Sequence, residues 1–134
     1  MKIGMALALL LLLTSPVWAA GPVNPTVASW TAPTTNTDGS ALTDLAAYNV
    51  YMASGATVPV FPGAGWTKTT VAAASPAPAP NTTVTTSLGA QPNGQRYIVV
   101  TAVDLAGNES AGTAAVAFLV DRLAPTVPSN LLVQ

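Results

Sequence analysis

Turn formers recur at short intervals along this chain and leave space only for short extended runs between them. Asp38-Gly39, Ser54-Gly55, Pro62-Gly63, Asn93-Gly94 and Gly107-Asn108 each favour a backbone reversal. The runs they bound are Thr26–Thr31, Tyr48–Met52, Thr67–Ala72, Thr82–Leu88, Arg96–Asp104 and Ala114–Val120. Most are rich in Thr, Val and Ala, and the β-branched residues among them pack well on a pleated surface. Helical periodicity is confined to Leu42, Leu45 and Ala46, too short a stretch to count as a helix. Short strands separated by turns predict an all-β sandwich.

Alternation within the runs assigns their faces. Tyr48, Val50 and Met52 fall on one side of their strand, with Asn49 and Tyr51 on the other. In Arg96–Asp104, Ile98, Val100 and Ala102 oppose Tyr97, Val99, Thr101 and Val103. This run is apolar on both faces, which suits a central strand rather than an edge. Trp30, near the end of the first run, is the largest candidate for the centre of the core.

The composition argues against most chemistry. There is no cysteine and no histidine, which removes disulfides, thiolate metal sites, cysteine nucleophiles and the usual general base. Four basic residues stand against five acidic ones, for a net charge of -1. No basic surface is available to neutralise the phosphates of a nucleic acid. Asp104, Asn108 and Glu109 share one turn, but calcium takes six to eight oxygen ligands and this turn offers too few. Asp38 and Asp44 flank a polar loop; turn formation and capping explain them better than paired-carboxylate hydrolysis. Lys68 lacks the activating partner that a nucleophile needs. No catalytic residue, metal site or cofactor is expected.

The first residues read as an address. Lys2 precedes an apolar stretch from Ile3 to Leu13, which Thr14, Ser15 and Pro16 interrupt. Val17-Trp18-Ala19 then places small residues where a signal peptidase requires them, so residues 1–19 are expected to be a signal peptide cleaved after Ala19 or Ala20. The apolar stretch falls short of the roughly 20 residues that span a bilayer. The mature chain is expected to be extracellular or periplasmic, monomeric and free of the membrane.

Two longer segments carry a resemblance. Val27 to Met52 reads VASWTAPTTNTDGSALTDLAAYNVYM, and Arg96 to Ser110 reads RYIVVTAVDLAGNES. Trp30, Pro33, Asp38, Gly39, Leu42, Tyr48, Val50, Tyr51, Ala102, Asp104, Gly107 and Ser110 follow in order and spacing the pattern of bacterial and phage fibronectin type III domains. The resemblance implies an immunoglobulin-like sandwich of about seven antiparallel strands over residues 22–120, with residues 121–134 as a linker or tail. It also implies a non-catalytic role in binding a protein or a surface, or in spacing other modules. Two other roles are compatible with it: an accessory module that holds polysaccharide, and a structural part of a phage or cell-surface assembly joined through sheet edges.

The pattern is broken in two places. Members of that family carry a tyrosine where this chain has Arg96, with Tyr97 one residue later. A one-residue offset points the ring to the other face, so either the strand bulges or the usual tyrosine tie is missing, and a missing tie is expected. The segment from Ala72 to Asn81 carries Pro76, Pro78 and Pro80, which cannot donate ladder bonds. It is expected to be an extended connection between the fourth and fifth of the seven strands. Beyond the core, Val127-Pro128-Ser129-Asn130-Leu131 resembles the opening strand of a following module. The loop Ser54–Trp66 holds Phe61 and Trp66, the candidate surface-binding residues; the plainer expectation is that both fold back over an open sheet edge.

Overall fold

A computed structural model describes residues 21–129 and 132. The expected signal peptide and its cleavage point lie outside the described residues. Among the described residues the chain is all-β, with six strands and no helix. These are β1 (Val27–Thr31), β2 (Leu45–Ser54), β3 (Thr67–Ala72), β4 (Thr83–Ser87), β5 (Gly94–Asp104) and β6 (Val116–Val120). They form two antiparallel sheets, one of order β1-β4 and one of order β3-β2-β5-β6.

The first of the expected seven strands is reduced to one bridge. Val23 pairs with Leu119 in a parallel sense, through Leu119 N–H to the Pro22 carbonyl and Asn24 N–H to the Leu119 carbonyl. Pro22 lacks the N–H that would extend this ladder backwards, and Asn24 leaves the extended conformation at a φ of 52°. The opening segment therefore runs along β6 and leaves β1 with a single partner, β4.

The hydrogen-bond phase of β1 follows from its ends. Leu88 N–H donates to the Thr26 carbonyl and Ala32 N–H to the Thr82 carbonyl. Bonded pairs alternate in an antiparallel ladder, so Ala28 and Trp30 also turn their backbone groups toward β4. Val27, Ser29 and Thr31 turn theirs the other way, to an edge that is free among the described residues.

The core lies between the sheets in two joined clusters. Val50, Leu88, Ile98, Phe118 and Val120 form one, and Ala32, Leu42, Leu45 and Tyr48 the other. Trp30, Val71 and Val100 touch both. Trp30 meets the Tyr48 ring edge-on, with centroids 5.2 Å apart. Leu45 reaches the core because the β2–β5 register shifts between Leu45 and Ala47. The segment after β3 stays close to β2: Ala73 N–H donates to the Ala46 carbonyl, and Leu45 N–H to the Pro76 carbonyl. As the two-faced apolar pattern requires, β5 is central, between β2 and β6.

Tyr97 settles into a different tie from the one in the resembling family. The β2–β5 register runs without a shift from Ser54↔Arg96 to Ala47↔Val103. With no bulge there, Tyr97 shares the outer face of its sheet with Val99 and Thr101. Its hydroxyl donates to the Ala56 carbonyl, 3.3 Å away, in the loop that follows β2.

Candidate functional site

The outer face of the four-stranded sheet carries the densest group of aromatic and polar side chains outside the core. Alternation places Asn49, Tyr51 and Ala53 of β2 beside Tyr97, Val99 and Thr101 of β5. A sheet face open to water would leave these residues exposed. Instead Asn49, Ala53, Tyr97, Val99 and Thr101 are all buried, and Val99 is only 1% exposed. Something covers them.

The cover comes from the two loops that flank the sheet. Between β2 and β3 the chain doubles back and lays Phe61 against Tyr51, with ring centroids 4.9 Å apart and an interplanar angle of 69°. Trp66 meets the other side of Phe61 at 5.5 Å and 86°, and its indole Nε1–H donates to the Val60 carbonyl at 3.2 Å. Edge-to-face contacts of this kind add to the burial of the rings themselves. From the β5–β6 side, Gly112 lies against the same ring: a methyl group there would come within 2.6 Å of Phe61 Cε1 and 2.7 Å of Val99 Cγ1. Only glycine fits between Phe61 and Val99 without displacing one of them. Phe61 and Trp66 are consequently half-buried.

Polar groups complete the face. Glu109 Oε1 accepts a hydrogen bond from the Tyr51 hydroxyl at 2.7 Å and another from Thr101 Oγ1. Thr70 Oγ1 donates to Asn49 Oδ1 at 2.8 Å. The Thr101 hydroxyl is the main reason that the Glu109 carboxyl sits below its usual range, and Lys68 adds a smaller effect in the same direction. The Tyr51 hydroxyl is pushed up, chiefly because it donates to that carboxylate. A carboxylate satisfied by two hydroxyls is an orienting group rather than a free base.

The other candidates do not converge. Asp104 uses both carboxylate oxygens on Asn108, accepting from its N–H and its Nδ2, each at 2.8 Å. These bonds hold the Asp104 carboxyl below its usual range. Glu109 is bound on the outer face instead, so the structure does not bring these carboxylates together as a calcium cage. Asp38 accepts from Ser40 N–H at 2.9 Å and Ser40 Oγ at 2.6 Å, a local turn that lowers its pKa. Among the described residues no three His, Cys, Asp or Glu side chains gather as metal ligands. A cleft of about 420 Å³ opens at this end of the sandwich, with Asp38, Leu42, Asp104 and Asn108 among its walls.

Tyr51, Thr101 and Gly112 were not singled out from the sequence as a site, and Glu109 was weighed there only as a calcium ligand of its turn. Two signals pointed to this face: Val99 and Val103 of β5 alternate with an inward apolar set, and an aromatic loop follows β2 directly in the chain. The pairing of Glu109 with Tyr51 spans 58 residues of sequence and needs the fold to be seen. Comparison of the chain with family models, with curated proteins and with solved structures finds no match.

Proposed function

We propose that this chain is a secreted, non-catalytic sandwich module of the fibronectin type III kind, which binds a protein or a surface or spaces other modules. The observation that carries the reading is the placement of the residues behind the resemblance. Trp30 and Tyr48 meet between the sheets, Leu42 closes one core cluster, and Asp104 through Ser110 form the turn after the central strand. Backbone bonds support that turn, with Gly107 N–H donating to the Asp104 carbonyl and Ser110 N–H to the Ala102 carbonyl. The polar side chains of the outer face are consumed in structural bonds, which leaves recognition to shape and apolar contact.

One observation favours a second reading, carbohydrate holding. Tyr51, Phe61 and Trp66 form a continuous row of half-buried rings, and sugar rings stack on such surfaces through their C–H faces. Pull-down of the pure protein on insoluble polysaccharides separates the two. Retention that Trp66→Ala abolishes, with the fold intact by circular dichroism, establishes the carbohydrate role. Absence of retention on every polymer leaves the protein-binding or spacer role.

A further inference from the structure

The two sheets are unequal, and the mismatch leaves a strand's place unfilled. Beside β1, on the side away from β4, a groove of about 360 Å³ runs between the layers. Its walls include Ala28 and Trp30 of β1, Ile98 and Val100 of β5, and Phe118 of β6. These are residues of the core itself, facing a space that no strand covers among the described residues. Along the rim lie the outward backbone groups of Val27, Ser29 and Thr31, which β4 does not use. An apolar floor with an unpaired ladder beside it is what an added extended segment requires.

The chain also carries a segment suited to that place. After Val120 it offers Asp121 to the Asn24 side chain and Arg122 N–H to Asn93 Oδ1. Beyond these ties Leu123, Val127 and Leu132 stand exposed, Val127 at 87% and Leu132 at 79%. In an extended conformation side chains alternate, so Val127, Ser129, Leu131 and Val133 share one face, and Pro128, Asn130, Leu132 and Gln134 the other. Past Pro128 every residue keeps its N–H for pairing. The first face is the more apolar and the second the more polar, as a strand covering a groove needs.

We propose that residues 126–134 of a second copy of this chain add as a strand to the free edge of β1 and lay Val127, Leu131 and Val133 into the groove. Direction selects the second copy over the chain's own tail. β6 ends beside Gly94, at the end of the sandwich where β4 finishes and β1 begins, and Val120 and Leu88 belong to one core cluster there, so a tail returning within its own chain would run parallel to β1. A tail from a neighbour is free to run antiparallel, the better-bonded arrangement. The contact is head-to-tail, and each copy offers both a groove and a tail, so it propagates from copy to copy into rings or open chains of molecules. The inference goes beyond the proposed binding or spacer role and replaces the monomer expected from the sequence.

The full chain, as recovered after export, is sized by light scattering over a range of concentrations beside the same chain ending at Asp121. The full chain is expected to assemble with rising concentration, and the shortened one to stay monomeric while binding a synthetic Thr126–Gln134 peptide. Ser29→Pro deletes one outward N–H and leaves the β4 ladder intact, so it should keep the circular dichroism spectrum and urea midpoint. It should also weaken peptide binding about tenfold or more and abolish assembly. A full chain that stays monomeric, including one whose tail fills its own groove, overturns the proposal. So does assembly that survives removal of the tail, or peptide binding indifferent to Ser29→Pro.

Discussion

Replacing Trp30 with alanine removes the ring that touches both halves of the interior, and the loss should be about 3–5 kcal/mol from transfer and cavity terms together. A domain of this size holds only about 5–15 kcal/mol in all, so Trp30→Ala should be marginal or unfolded in urea titrations. Trp30→Phe tests a finer point. The indole Nε1–H is buried with no partner among the described residues, and an unpaired buried donor is itself costly. Phenylalanine removes that donor along with part of the ring, so its cost should be well under half that of alanine. Trp66, half-buried at the end of the aromatic row, should lose about 1–2 kcal/mol as alanine. Glu109 sets a pH dependence. Its carboxyl ionises more readily in the fold than its usual value of 4.5, so the stabilisation is complete above about pH 5 and fades as pH falls through the lower folded value. Urea midpoints from pH 3 to 7 should therefore drop on the acid side, and Glu109→Gln should flatten that part of the drop that Glu109 carries.

At the scale of elements, the strands were the most legible feature because they rest on local chemistry. Each of the six runs read from Thr, Val and turn residues became a strand, and alternation assigned the faces of β2 and β5 correctly. The opening strand was not legible in this way. Its shortening depends on Pro22, on the turn at Asn24 and on where β6 lies, and only the second sheet supplies that neighbour. Tyr97 shows the same divide: its face followed from counting residues, whereas its partner, Ala56, followed from the path of a distant loop. The covered outer face adds a prediction about the β5–β6 connection. Gly112→Ala would push a methyl group into Phe61 and Val99. It should cost about 1–3 kcal/mol as overpacking and shift the Trp66 fluorescence, because the row of rings must move with Phe61.

For the whole molecule, the arrangement of the ends has a mechanical consequence. The opening segment and β6 lie parallel through the Val23–Leu119 bridge, so the chain enters at one end of this pair and leaves at the other. Tension applied through the two ends pulls these neighbours along each other, and their cross-links share the load instead of opening in turn. Those cross-links are the two backbone bonds of Leu119 and the two bonds between Asn24 and Asp121 at 2.7 and 2.9 Å. Single-molecule stretching of the domain held by its ends should show one sharp rupture, and Asn24→Ala should lower its force with little change in the urea midpoint. A module spliced between a surface and a distant partner would thus resist extension until a threshold and then yield at once, a fuse in the line of force.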